Sequence, residues 1–135
     1  MKQFLKLCIL ITVVKIIAGC SYSNETTNIV KEYILTRFEE EGIELTIKED
    51  KSRTFDYPNS KEENYQFNGG TICLFYGFDQ TKQIKEKIRA TLAETEYLYV
   101  PQVFFYDKFA IIFIPKADNI EITEKVNLVF DSLKK

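Results

Sequence analysis

Cysteine is the residue type in this sequence with the widest chemical repertoire, because its sulfur can act as a nucleophile, bind a metal or carry a covalent lipid. Three cysteines occur. Cys20 directly follows two small residues at the end of an apolar leader that also contains Cys8, whereas Cys73 lies within the apolar run Thr71–Tyr76. A cysteine inside such a run usually packs as a small hydrophobe. We therefore expect packing at Cys73, whereas the role of Cys20 depends on the leader that precedes it.

Histidine is absent from the chain, which restricts the reactions that the protein can catalyse. The absence removes the commonest general base and metal ligand, and with them every Ser-His or Cys-His nucleophile. A zinc site would have to be built from Cys73 and carboxylates alone. We therefore expect no metal site, no cofactor and no enzymatic activity.

Carboxylates are the remaining groups that could carry a reaction. They occur in runs at Glu39–Glu41, Glu49-Asp50 and Glu62-Glu63. Two carboxylates held roughly 5 to 10 Å apart across a cleft can hydrolyse a glycosidic bond. These runs, however, fall at a helix end and in a polar loop, which favours solvated surface charge. A carboxylate-dependent hydrolase of cell-wall glycan is therefore kept as an alternative function.

The first nineteen residues are organised as a leader. They have a basic start, an apolar run from Leu7 to Val14 and small residues before Cys20, an order typical of a secretory signal peptide. A membrane-spanning helix needs about 20 apolar residues. The stretch that ends at Gly19 is shorter, and Lys15 interrupts it. The pattern therefore predicts a cleaved signal peptide over these nineteen residues rather than a spanning anchor.

The end of the leader, Ile17-Ala18-Gly19-Cys20, resembles the lipobox of bacterial lipoproteins, in which an aliphatic and two small residues precede a cysteine. The resemblance implies that the Cys20 sulfur receives a diacylglyceryl group and that a signal peptidase cleaves between Gly19 and Cys20. Two acyl chains anchor a protein stably, since each buried methylene contributes about 0.8 kcal/mol. The implied location is the extracytoplasmic face of the cell membrane, with the membrane bound through the lipid.

Periodicity predicts the elements behind the leader. Apolar residues from Ile29 to Phe38 recur at helical spacing, and Gly42 can end that helix in a left-handed conformation. Alternation predicts a strand over Ile43–Lys48 with its isoleucines facing inward, and a short strand around Tyr65–Phe67 is expected before a turn at residues 68–70.

The C-terminal half continues this pattern. Thr71–Tyr76 does not alternate, which predicts a central strand buried on both faces. A helix capped by Asp79 should follow, and then a tight hairpin whose two-residue turn is Asp107-Lys108. A last helix, capped by Thr123, should face inward with the residues Val126, Val129, Phe130 and Leu133.

These elements predict an α+β fold, a two-layer sandwich in which helices cover one face of a mixed, mainly antiparallel sheet of four or five strands. The domain boundaries follow: a signal peptide over residues 1–19, the lipidated cysteine and a short tether over 20–26, and one domain over 27–135. A lipobox leader before such a domain, with few cysteines and a hairpin-helix ending, resembles small lipoproteins of Gram-positive bacteria. That resemblance implies a location and no particular activity.

Aromatic residues outside the predicted core are the candidate interaction surface, because amphipathic rings often serve interfaces. The alternative is that they fold back over the sheet. The candidates are Phe55, Tyr57, Tyr65, Phe67, Tyr97 and Tyr99.

Charge excludes nucleic acid as a partner. The chain has 18 basic and 20 acidic residues, and removing Lys2, Lys6 and Lys15 with the leader leaves 15 against 20, a net charge of −5. Binding to a phosphate backbone depends on clustered cations. We therefore expect a membrane-anchored binding module whose partner is an envelope protein or a cell-wall component. Besides the hydrolase, a lipoprotein that protects its own cell from a toxin is a further alternative.

Overall fold

The computed structural model describes residues 24–49 and 53–135. The chain divides into two compact units, with the boundary between Tyr33 and Ile34. The described part of the first unit, residues 24–33, is helical. The second unit runs from Ile34 to Lys135 and contains the sheet, so the fold that follows is the fold of this unit.

Helices and strands follow one another in the predicted order. Helix α1 covers residues 24–40 of the described chain and therefore includes residues 24–26, which the sequence assigns to the tether. The strands are β1 (Thr46–Lys48), β2 (Lys61–Phe67), β3 (Gly70–Tyr76), β4 (Gln102–Tyr106) and β5 (Phe109–Pro115). Helix α2 (Lys82–Glu94) lies between β3 and β4 in the sequence, and α3 (Ile120–Leu133) follows β5.

The five strands form one sheet in the order β1-β2-β3-β5-β4, and every neighbouring pair is antiparallel. Strand β3 is central, as its apolar run predicts, and pairs with β2 on one side and β5 on the other. Both β3 and β4 are antiparallel to β5, so the connection through α2 crosses over β5. The predicted α+β class is confirmed, and the predicted sheet of four or five strands has five. The sheet was expected to be mixed and mainly antiparallel, and all of its neighbouring strands are antiparallel.

Successive residues of each strand point to opposite faces of the sheet, and both faces of the central strands are buried. On one face Cys73, Phe75, Ala110 and Ile112 form a cluster with residues of α2. On the other face the intervening residues are equally buried, namely Ile72, Leu74, Phe109, Ile111 and Phe113. This burial on two sides explains why β3 and β5 show no alternation in the sequence.

Helices α2 and α3 pack on opposite faces, which corrects the prediction that the helices cover one face. Lys85 of α2 lies over the Phe105 ring, whereas Phe104, the preceding residue of β4, stacks on Phe130 of α3 with ring centroids 5.1 Å apart. Neighbouring strand residues point to opposite sides, so the two helices must also lie on opposite sides. A sheet whose central strands are apolar on both faces needs a cover on each.

Both predicted helix caps are corrected. Helix α2 begins after Thr81, whose hydroxyl accepts a hydrogen bond from the Ile84 N–H at 3.3 Å, and Asp79 does not cap it. Helix α3 begins after Asn119, whose side-chain oxygen accepts from the Ile122 N–H at 3.2 Å. Asp79 is one of several residues before α2 with a capping side chain, and the path of the loop decides which one is used. Thr123 lies inside α3, which begins about one turn earlier than predicted.

Strand β1 is shorter than predicted and differs in exposure. Only Thr46–Lys48 pairs with β2, and Ile47 is 58% exposed although the alternation placed it inward. Ile43 is buried as expected, but it lies in the connection after α1, where Gly42 has the predicted positive φ of 75°. The sheet ends at β1, so little remains to cover Ile47.

Candidate interaction surface

The six aromatic residues selected from the sequence do not form one surface. Phe55 is 2% exposed and Tyr65 is 8% exposed, so both belong to the core. The remaining four, Tyr57, Phe67, Tyr97 and Tyr99, are half-buried. The alternative interpretation, that such rings fold back over the sheet, therefore holds for the two buried residues.

The aromatic candidates are also divided between the two faces of the sheet. Phe55, Tyr57 and Tyr97 pack with the cluster under α2. Phe67 packs against Phe113 instead, with ring centroids 6.0 Å apart, on the opposite face. The prediction of a shared aromatic surface is corrected here, because β2 and the segment before it send these rings to different sides.

The adjacent acids Glu62 and Glu63 cannot act as a facing pair. They are neighbours in β2, so their side chains point to opposite faces of the sheet. The Glu62 carboxylate accepts hydrogen bonds from the backbone N–H of Thr54 at 3.0 and 3.1 Å. The Glu63 carboxylate accepts from the hydroxyls of Tyr65 at 3.1 Å and Tyr76 at 3.4 Å. Each acid therefore holds neighbouring segments in position.

Cys73 is buried in β3, at 1% exposure, as its apolar neighbours predict. Burial raises the pKa of its thiol, and the Glu62 carboxylate, through its charge and a hydrogen bond, raises it further. Burial raises the pKa of Tyr97 as well, with Cys73 and Glu62 adding to the rise. A thiol that stays protonated and buried is a poor nucleophile and a poor metal ligand.

Among residues 24–49 and 53–135, no three acidic, Cys or His side chains could together hold a metal ion.

The most exposed large apolar residues of the described chain are Leu98, at 94%, and Val100, at 85%. They alternate in the sequence with Tyr97 and Tyr99, which are half-buried. Sequence reasoning selected the two tyrosines and missed the two aliphatic residues. The sequence shows that Leu98 and Val100 are apolar but not that they are exposed, because their exposure depends on the fold.

This exposed segment leads through Pro101 directly into β4, one of the two outer strands of the sheet. Strand β4, with the sequence Gln-Val-Phe-Phe-Tyr, contains no charged residue, and all five of its residues are half-buried. We call Leu98, Val100 and the strand Gln102–Tyr106 the β4 edge surface. It combines exposed apolar side chains with the outer backbone edge of a strand.

Cationic side chains lie against the rings of β4 on both faces of the sheet. Lys85 Nζ is 5.2 Å and Arg89 Cζ is 4.8 Å from the centroid of the Phe105 ring. On the other face, Lys134 Nζ is 5.7 Å from the centroid of the Phe104 ring, while it also pairs with Asp131 at 2.7 Å. Cation–π contacts of this kind hold the charges beside the strand edge.

The leader lies outside the described residues. This applies to the signal peptide over residues 1–19, to the cleavage position at Gly19 and Cys20, and to the lipidation of Cys20. Within the described part of the chain, no helix has the length and apolar character needed to cross a membrane.

Comparison with known proteins finds no family model, no curated protein and no solved structure that matches this chain.

Proposed function

We propose that this protein is a lipid-anchored, extracytoplasmic binding module that contacts a partner through the β4 edge surface and does not catalyse a reaction. The observation that supports the binding role most directly is the exposure of Leu98 and Val100 beside an outer strand without charged residues. A partner in the envelope or the cell wall is the expected class.

Exposed apolar residues next to one another support a contact surface more strongly than single ones do. Isolated exposed hydrophobic residues are common on any protein, whereas adjacent ones mark interaction sites. Here Leu98 and Val100 lie two positions apart and next to the half-buried Tyr99. Tyr99 adds an aromatic ring to this segment, and tyrosine is among the residue types that most often carry binding energy at interfaces.

The location is tested by mass spectrometry and fractionation of the protein expressed in a bacterial host that processes lipoproteins. We expect the wild type to lose residues 1–19, carry a lipid mass on Cys20 and remain in the membrane fraction. The variant Cys20→Ala should lose both the lipid and the membrane retention. Cys73→Ala, a matched change at the buried cysteine, should keep both. An unmodified, soluble wild type would contradict the anchor.

The binding role is tested by placing a photo-crosslinking amino acid at Leu98 in living cells. We expect crosslinked adducts of defined size from this position. The same amino acid at Leu128, which is 53% exposed on α3, serves as the control and should form few adducts. Equal crosslinking from the two positions would show that the β4 edge surface is not a preferred contact.

A further inference from the structure

We propose that the β4 edge surface binds an extended, acidic segment of a partner polypeptide, which adds to the sheet as a strand beside β4. This inference rests on the proposed binding function and names the chemistry of the partner. It follows from the two edges of the sheet, from the charges around β4 and from the exposed residues that precede it.

The two edges of the sheet differ in how far they are protected against strand addition. Edge strands are commonly kept short or carry charged residues, particularly lysine, which prevent another chain from pairing with them. Strand β1 has both features, since it consists of Thr46-Ile47-Lys48. Strand β4 is five residues long and has neither, and no further strand pairs with its outer side among the described residues. The outer edge of Gln102–Phe105 therefore lacks the features that prevent a further strand from pairing with it.

Strand addition also provides a place for the side chains of the bound segment. An added strand directs alternate residues to the two faces of the sheet, while its backbone supplies hydrogen bonds. On one face these side chains would meet Lys85 and Arg89, and on the other Lys134. Within the described chain, no carboxylate forms an ion pair with Lys85 or Arg89. Acidic side chains in the partner would complement both cations.

A second copy of this chain is a poorer occupant of the same edge. If two β4 strands paired in antiparallel fashion across a two-fold axis, equivalent faces of the two sheets would adjoin. Lys85 and Arg89 of one copy would then lie near the same residues of the other. Repulsion between like charges opposes that arrangement.

An anionic membrane is also disfavoured as the occupant. The outer edge of β4 presents backbone groups that lipid cannot satisfy. Glu94 and Glu96 are exposed and lie just before Leu98, so they would be brought towards anionic headgroups together with it. A polypeptide can satisfy the backbone edge and the cations at once.

The inference is tested with synthetic fluorescent peptides and the full chain purified in detergent, by fluorescence anisotropy. The first peptide alternates glutamate with valine over about seven residues, the length of an ordinary strand. The second has lysine in place of glutamate. The third keeps the acidic sequence but carries methyl groups on alternate backbone nitrogens, on the edge that would face β4.

We expect the acidic peptide to bind and the other two to bind at least about tenfold more weakly, because one loses charge complementarity and the other the backbone hydrogen bonds. Arg89→Glu should weaken binding of the acidic peptide by about tenfold and make it less sensitive to salt. Lys87→Glu is the matched control, since it makes the same charge change at an exposed position of the same helix, and it should have little effect.

Hydrogen exchange locates the bound peptide. The acidic peptide should slow exchange of the outward-facing amides of Val103 and Phe105 and leave those of β1 unchanged. Equal affinity for the methylated peptide would overturn strand addition, and equal effects of Arg89→Glu and Lys87→Glu would overturn the charge argument. Three further results would overturn the inference: no binding of the acidic peptide, dimerisation of the chain through β4, or binding of anionic phosphatidylglycerol vesicles that Leu98→Ser abolishes.

The outcomes separate this inference from the function on which it rests. If Leu98 forms crosslinks but the protein does not prefer the acidic peptide, the proposed binding function is supported and only the acidic, extended partner is contradicted. If the protein prefers the acidic peptide but Cys20 carries no lipid, the proposed binding surface is supported and only the membrane location is contradicted.

Discussion

Cys73 shows how the surroundings of one residue decide its chemistry. Its sulfur lies among the apolar residues under α2 and close to the Glu62 carboxylate, two features that both disfavour a thiolate. A cysteine is activated by the opposite conditions, exposure and positive neighbours. The residue type alone therefore says little, and the neighbours of Cys73 indicate a role in packing.

The raised pKa of Cys73 predicts a loss of stability in alkali. An unfolded thiol ionises above about pH 8.5, whereas the folded protein keeps the proton. The folded state then binds more protons than the unfolded state, so its stability is full below that pH and falls above it. We expect this residue to account for about 2 kcal/mol of loss between pH 7 and pH 10. Urea unfolding should show a smaller fall for Cys73→Ala than for the wild type; equal falls would contradict the assignment.

Glu62 predicts an effect on the segment that precedes β2. Its carboxylate accepts hydrogen bonds from the N–H groups of Thr54 and Phe55, so it holds the start of this segment against the sheet. Glu62→Gln replaces one acceptor oxygen with a donor and removes the charge that strengthens these bonds. We expect a loss of about 1 to 2 kcal/mol and faster hydrogen exchange at Thr54 and Phe55. Glu44→Gln, at an exposed position, should change neither.

At the scale of elements, the hairpin between β2 and β3 depends on a close approach at Gly70. Its φ is 146°, and a Cβ atom there would lie 2.2 Å from the Ile114 carbonyl oxygen of β5. Gly42 has a positive φ of 75° but open space around the same position. We expect Gly70→Ala to destabilise the fold by more than about 2 kcal/mol and Gly42→Ala by about 1 kcal/mol. Thermal unfolding measures both, and an equal effect would mean that the contact with β5 relaxes at no cost.

Sequence patterns were sufficient for the order of the elements and for the central position of β3. A run such as Thr71–Tyr76, in which apolar and polar residues do not alternate, has few alternatives to a strand covered on both sides. Two residues between apolar runs, as at Asp107-Lys108, require an antiparallel hairpin. Such features are local, so the sequence expresses them directly.

The placement of helices and side chains on particular faces was not accessible in the same way. Which face α2 and α3 cover depends on the path of the loops, and no local pattern records it. Phe55 lies in a polar segment, yet the ring contacts Phe75 with centroids 4.9 Å apart, a long-range contact that composition does not reveal. The exposure of Leu98 and Val100 likewise depends on the end of the sheet at β4. The contacts of Lys85, Arg89 and Lys134 with the rings of β4 could not be predicted from the sequence either, because they too depend on where α2 and α3 pack.

At the scale of the whole molecule, the second half of α1 belongs to the core of the larger unit. Ile34 and Phe38 are fully buried. We therefore expect a chain that begins at Thr27 to unfold in one cooperative transition in urea, followed by circular dichroism. In that chain Phe38→Ala should cost about 3 to 5 kcal/mol, and Leu128→Ala, at a half-exposed position, less than about 1 kcal/mol. A gradual transition of the shortened chain would contradict its independence.

The antiparallel pairing of β3 with β5 has a consequence for the order of events on the ribosome. Cys73 faces Ile112 across the central ladder, and all residues of β5 are synthesised after α2 and β4. In a nascent chain that ends before Phe109, strand β3 can pair with β2 along one edge but has no partner strand along the other. Strand β5 closes the middle of the sheet, so the native core cannot assemble until Phe109–Pro115 has been synthesised.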